Sequence, residues 1–195
     1  MSDSKKNVLC SAQISGTLRP SSGSSCSFAA KHEFTHVRMQ TIQGQYRSGY
    51  RIAIAAARWN QLVTDRLLAG ALDALQRQGV AADHITIVWC PGSFELPLVV
   101  RTLAERSEFD AIIVLGCVIR GETAHFDFVA TQAASGILQT MLAEGIPCAF
   151  GVLTTDTLDQ ALDRAGGKAG NKGAEAALVA LEMADLLDQL RRRGQ

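Results

Sequence analysis

From residue 51 onward the chain alternates short, wholly apolar runs with longer stretches in which apolar residues return every three or four positions. Runs of the first kind predict strands buried on both faces, and stretches of the second kind predict helices with one apolar face. The predicted strands are RIAIAAA (51–57), HITIVW (84–89), AIIVLGCVI (111–119) and PCAFGVL (147–153). The predicted helices are TDRLLAGALDALQRQG (64–79), FELPLVVRTLAERS (94–107), FDFVATQAASGILQTMLAEG (126–145) and GAEAALVALEMADLLDQLRRR (173–193), two of them ending on a glycine that can cap them. Strand and helix in strict alternation mean a four-stranded parallel sheet with helices on both sides, and right-handed crossovers make it a three-layer α/β/α sandwich. A fifth strand is expected within VRMQTIQGQYR (37–47), before the Ser48-Gly49 turn; it lies outside the alternation, so a neighbouring subunit is its expected partner.

Residues 1–38 follow neither pattern. They contain SSGSSCS (21–27) and read as a flexible N-terminal extension, with residues 39–195 as the folded domain. An appended peptide, a leader upstream of a start at Met39 and a transit peptide are the readings weighed; sparse arginine and weak amphipathicity count against the last.

The chain carries 19 Lys/Arg and 19 Asp/Glu, without the basic excess that phosphate-backbone contacts require, so no nucleic acid is expected. No apolar run approaches a membrane span, and no membrane is expected either. The five cysteines (Cys10, Cys26, Cys90, Cys117, Cys148) show no CxxC spacing and no histidine at metal-ligand intervals, so they are read as thiols of a reducing cytoplasm with no metal site.

A parallel sheet places ligands beyond the carboxyl ends of its strands. Here those ends read Arg58-Trp59-Asn60, Cys90-Pro91-Gly92-Ser93-Phe94-Glu95, Arg120 through His125, and Leu153 through Asp156. Neither GxGxxG nor GxxxxGK[ST] is present, which speaks against dinucleotide and triphosphate enzymes. GETAH (121–125) offers another kind of anion seat: a glycine, a hydroxyl at Thr123 and the free amides of a starting helix. Thr123 as a plain helix cap remains open on this pattern, as does a structural role for His125, whose imidazole is also a side chain suited to proton transfer. Trp59 and Phe94 offer faces for a flat heterocycle, and Glu95 an acceptor; core packing and a helix-start acid are the plainer readings. RAGGKAGNKG (164–173) gathers four glycines and three cations that are either solvated punctuation or within reach of an anion.

Taken together, ARWNQLVTDRLLAGALDAL, CPGSFELPLVV, GCVIRGETAHFDFVA, FGVLTTDTLDQALDRAG and KAGNKGAEAALVALEMADL resemble the 6,7-dimethyl-8-ribityllumazine synthase family, in family order and spacing from about Gln40 to Leu187. The resemblance implies a flavodoxin-like fold and a cofactor-free condensation of 5-amino-6-(D-ribitylamino)uracil with 3,4-dihydroxy-2-butanone 4-phosphate in riboflavin biosynthesis. It implies these small-molecule substrates, a homo-pentamer with sites between subunits, and riboflavin synthase as a further partner; decamer and icosahedral 60-mer stay open, the extension at 1–38 weighing against a shell.

The resemblance also distributes roles. His125 becomes the general acid/base. Trp59, Asn60, Ser93, Phe94 and Glu95, with backbone at Cys117, Val118 and Ile119, take the pyrimidinedione and its ribityl chain. Gly121, Glu122, Thr123 and Arg164 take the phosphate, while Phe150 and Lys172 close the pocket, Phe150 from the adjacent subunit. The stacking position is more often phenylalanine in the family, and the larger face of Trp59 is expected to hold riboflavin as well. A non-catalytic flavin-binding or shell-forming chain of the same fold is the alternative.

Overall fold

The computed structural model describes residues 40–193, so the extension at 1–38 and the first part of the 37–47 segment lie outside the described residues. Four strands, β1 (Ile52–Ala57), β2 (Ile85–Cys90), β3 (Ala111–Ile119) and β4 (Cys148–Thr155), form one sheet in the order β2-β1-β3-β4. Every pair is parallel. The linking helices are α1 (Gln61–Arg77), α2 (Leu96–Glu105) and α3 (His125–Glu144); after β4 come α4 (Leu158–Arg164), a two-stranded turn of β5 (Ala165–Gly167) and β6 (Gly170–Asn171), and α5 (Lys172–Arg193). α4 and the β5–β6 turn were not expected from the pattern, since seven residues show less than two turns of periodicity.

The sandwich follows from alternate residues of each strand facing opposite layers. On one side Ile52, Ile54 and Ala56 of β1, with Ile113 and Leu115 of β3, pack under Val63, Leu67 and Leu75 of α1 and Ala177 and Leu181 of α5. On the other, Ala53, Ala55, Ile112 and Val114 pack under Leu96 and Val100 of α2 and Ile137 of α3. β1 is fully buried along its length. α3 ends where expected, at Gly145, whose φ of 64° is left-handed backbone that glycine adopts at least cost.

One strand differs from expectation. β2 is an edge strand, so Thr86, Ile87 and Trp89 are open rather than covered on both faces. Residues 40–47, the described part of the expected fifth strand, pair with no strand among the described residues, so the neighbouring subunit remains the partner proposed for them. They are strapped across α5 by Asp185, whose side chain is wholly buried. Its carboxylate accepts from the Gln45 amide (2.9 Å), the Tyr50 hydroxyl (3.0 Å) and Gln189 Nε2 (2.6 Å), and pairs with Arg47 Nε at 2.8 Å. Burial acts to raise the Asp185 carboxyl, but these donors outweigh it and hold the group below its ordinary 3.8. Burial and the same carboxylate push the Tyr50 phenol up to about 12. Among the described residues no helix is long and apolar enough to cross a membrane.

Asp185→Asn is expected to cost on the order of 2–3 kcal/mol in urea unfolding, because several buried donors lose a charged acceptor. The folded carboxyl titrates below its unfolded value, so its contribution is complete above that value and disappears as pH falls through the folded one. The variant should therefore show a flatter acid limb. Tyr50 has the opposite sense: its stabilisation is intact below pH 10 and lost between about 10 and 12. Tyr50→Phe should remove that alkaline loss.

Candidate active site

The carboxyl ends of β1 and β2 are laced together by backbone. Arg58 N–H donates to the Cys90 carbonyl (2.9 Å) and Trp59 N–H to that of Pro91 (3.0 Å). Asn60 then turns the chain into α1 in one residue, with φ 60° and ψ 42°, a region asparagine tolerates better than most side chains. Its amide Nδ2 donates to the Cys117 carbonyl at 2.8 Å, tying the end of β1 to β3. Asn60, expected as a ligand contact, is thus already engaged as a joint between two strands.

Above this joint the Trp59 ring lies on Gly92. A Cβ at Gly92 would come 2.5 Å from Trp59 Cε3 and 3.0 Å from Glu95 Oε2, so only glycine lets ring and carboxylate converge there. That Glu95 oxygen is buried and has no hydrogen-bond partner, which in a folded protein calls for a reason. Trp59 is 62% exposed and Phe94 55%. Ser93 is buried, its hydroxyl close over the Gly116 backbone, where a Cβ would lie 2.8 Å from Oγ. Cys117 and Val118 are buried, so backbone is what they can offer a ligand. Burial pushes the Cys117 thiol up to about 11 and Cys148 to about 12, leaving neither poised as a nucleophile.

Between β3 and α3 the chain crosses Arg120 to Ala124, and His125 is the first residue of α3, exposed to solvent. No side chain caps α3. Thr123 Oγ1 accepts from the His125 amide only at 3.4 Å, so the plain cap reading is weak and the helix start stays open to an anion. Gly121, by contrast, has neither a left-handed φ nor a neighbour that a Cβ would meet, so its glycine is not demanded by this chain alone. Glu122 is exposed beside it.

Phe150, Arg164 and Lys172 lie elsewhere. They line a cavity of about 350 Å³ along the β4 edge, with Glu175 and Val179. Phe150 pairs in register with Val114, halfway along β3 rather than at its end. Strand order puts β2 and β4 on opposite edges, three strand spacings or roughly 14 Å apart. Lys172 Nζ pairs with Glu175 (2.6 Å), and Arg164 donates to the Gln160 carbonyl of its own helix (3.1 Å). The chain therefore brings the Trp59 group and the loop carrying His125 to neighbouring strand ends and leaves the Phe150 group apart. A larger cavity of about 490 Å³, lined by Tyr50, Phe109 and Arg191 among others, opens below the amino ends of the strands, where this architecture does not place its chemistry.

Two side chains escaped the sequence reading. Asn171 Oδ1 accepts from the Gly173 (2.8 Å) and Ala174 (3.2 Å) amides and so caps α5 beside Lys172; an asparagine just before a helical period was the available signal. Arg120 bridges Asp127 and Asp156, a pairing across distant sequence that no local pattern announces.

The sequence model of the 6,7-dimethyl-8-ribityllumazine synthase family matches residues 49–188. Among curated relatives, the 6,7-dimethyl-8-ribityllumazine synthase of Edwardsiella ictaluri (strain 93-146) is 55% identical over 155 residues, covering 78% of this chain and 99% of that protein. The enzyme of the same name from Nitratidesulfovibrio vulgaris (strain DP4) is 50% identical over 155 residues, covering 79% and 99%.

Gly92→Ala should drive Trp59 off its seat at a cost of about 1–3 kcal/mol. In a Trp89→Phe background, which leaves Trp59 as the single tryptophan, a shifted emission maximum would report the displacement. Gly121→Ala is the control, expected to leave stability within about 0.5 kcal/mol.

Proposed function

This chain belongs to the 6,7-dimethyl-8-ribityllumazine synthase family, and on that premise we propose how its residues carry the reaction. It makes 6,7-dimethyl-8-ribityllumazine in riboflavin biosynthesis, from 5-amino-6-(D-ribitylamino)uracil and 3,4-dihydroxy-2-butanone 4-phosphate. The observation that carries the assignment of roles is the unpartnered, buried Glu95 oxygen beside the exposed Trp59 face. A flat ring carrying N–H and O–H donors satisfies both at once: the face stacks, and the orphaned acceptor gains a partner.

The pyrimidinedione stacks on Trp59 with its edge and ribityl chain on Ser93, Phe94, Glu95 and the backbone of Cys117 to Ile119, Asn60 holding the floor in place. The phosphate of the second substrate sits on Gly121, Glu122 and Thr123 at the open start of α3. There the 5-amino group attacks the ketone and water leaves to give an imine, phosphate is eliminated to leave an enol that tautomerises to a ketone, and the ribityl-bearing nitrogen adds to that carbonyl and expels a second water as the second ring closes. Each step moves a proton, and His125, exposed at the first position of α3, is the group within one turn of the seat to move it. Much of the remaining acceleration is the meeting of two solutes in one orientation.

Arg164, Phe150 and Lys172 complete this site from a second copy. Their separation from Trp59 within one chain supports a site shared between subunits of a homo-pentamer, with Arg164 as the fork on the phosphate. Larger shells and an association with riboflavin synthase extend the same reading, as does a reducing cytoplasm for its free thiols. The rival, a flavin-binding or shell-forming chain without turnover, is less well supported, because His125, Arg164 and Lys172 are all retained.

Mixing both substrates should give lumazine absorbance and stoichiometric phosphate; verified substrates without product would sink the enzymatic reading. His125→Ala should lower kcat by roughly two to four orders of magnitude with little change in pyrimidine affinity, and Arg164→Ala should raise mainly the KM of the phosphate substrate. If the site is shared, refolding these two variants together restores activity at roughly a quarter of the sites, where an intact His125 meets a neighbour's intact Arg164. No recovery in a mixed oligomer would return Arg164 to the same chain. Riboflavin should quench Trp59 emission in the Trp89→Phe background; a flat titration counts against flavin at that face.

A further inference from the structure

Arg120 is the single Lys or Arg between Arg106 and Arg164, and it stands at the end of β3 immediately before the proposed phosphate seat. Its backbone amide donates to the Thr155 carbonyl at the end of β4 (2.8 Å), which fixes where the side chain starts. The guanidinium then spends its donors on two carboxylates. Nη1 and Nη2 reach both oxygens of Asp127 (3.2 and 3.0 Å), and Nε reaches Asp156 Oδ1 (3.1 Å). Its central carbon lies 4.1 Å from the centroid of the Phe126 ring, a stacking distance for this cation.

The placement of the two acids gives the arrangement its meaning. Asp127 lies in the first turn of α3, two residues beyond His125, and Asp156 lies in the turn after β4. The Arg120–Asp127 pair thus closes a ring around residues 121–126, which hold the seat and the histidine, and Asp156 ties that ring to the next strand. A lone exposed ion pair would contribute little, but a two-oxygen fork joined to a second carboxylate and an aromatic face is the networked case in which geometry is held. Nothing else described in the loop does this work: Thr123 makes one long contact, a Cβ at Gly121 would meet nothing within 4 Å, and α3 has no side-chain cap.

We propose that Arg120 is a positioning residue, a clasp that holds the 121–125 loop and the start of α3 in register for phosphate binding and proton transfer, acting through Asp127 and Asp156 rather than on the substrate. The proposal rests on Gly121 to Thr123 being the phosphate seat. A lysine cannot take its place, since a point charge lacks the planar fork that spans both carboxylates and stacks on Phe126.

The test is steady-state kinetics of Arg120→Gln, Arg120→Lys, Asp127→Asn and the Arg120→Gln/Asp127→Asn pair, resolving kcat and the KM of each substrate, with Thr123→Ala as reference. Each single clasp variant should raise the KM of the phosphate substrate and lower kcat by about tenfold, with the pyrimidine KM held within about twofold. The double variant should be no worse than its worse parent, because both break one clasp. If Asp127→Asn is neutral or improves binding while Arg120→Gln weakens it, the freed guanidinium serves the phosphate directly and the clasp is overturned; additive losses, or rescue by lysine, overturn it equally. Thr123→Ala raising the phosphate KM while the clasp variants leave it unchanged overturns the clasp alone. Thr123→Ala without effect overturns the phosphate seat, and the clasp with it.

Discussion

The complete burial of β1 is the constraint from which the rest follows. Strands lie on both its edges and helices on both its faces, and its sequence, IAIAAA, offers no polar side chain. A strand so enclosed can contribute to chemistry only where it ends. At that end a single left-handed residue, Asn60, reverses the chain and sends its amide to the Cys117 carbonyl on β3. The switch point of the sheet is thereby a fixed corner, and Trp59, one residue earlier, is held where its ring rests on Gly92. The aromatic face owes its position to backbone geometry on three strands more than to any contact of its own.

This explains what was legible in the sequence. Strands and long helices are legible because burial on two faces leaves unbroken apolar runs and burial on one face leaves a helical period. The lateral order of the strands leaves no such trace, so nothing in HITIVW announces that Ile87 and Trp89 would stand open on an edge. The strand-end rule pointed to Trp59, Asn60, Glu95 and His125, but not to the hydrogen bond by which Asn60 joins the end of β1 to β3. Arg120 was illegible for a related reason: its partner at Asp156 is distant in sequence, and only the β3–β4 pairing brings the two together. Asp185 likewise resembles any acid on the polar face of α5 until the 43–50 segment is seen folded over it.

The two acidic hubs solve different problems. Asp185 is closed from solvent, so its four donors must all be supplied by the protein; it anchors a segment that pairs with no strand among the described residues. Asp127 and Asp156 are exposed, and water competes for them, so their value lies in geometry rather than in net stability. The first arrangement suits a part that must not move, and the second suits the proposed role of the 121–125 loop, which would admit a ligand and release a product.

Unfinished surfaces of the chain coincide with unfinished parts of its chemistry. β2 exposes Ile87 and Trp89, and the loop after it carries Phe94 and the unpartnered Glu95 oxygen; β4 exposes Phe150 beside Arg164 and Lys172. Open sheet edges bearing large apolar side chains are a liability for an isolated protein and ordinarily require cover. Covering them with a second copy removes apolar area from water and, in the proposed shared site, delivers a guanidinium to the phosphate by the same act of docking. Association would then be driven mainly by apolar burial and not by the charged groups, which are costly to desolvate and gain full value only once a phosphate lies between them. On this view the cations of the β4 edge keep interim partners, Lys172 on Glu175 and Arg164 on a helix carbonyl, so that neither stands unpaired before the substrate arrives.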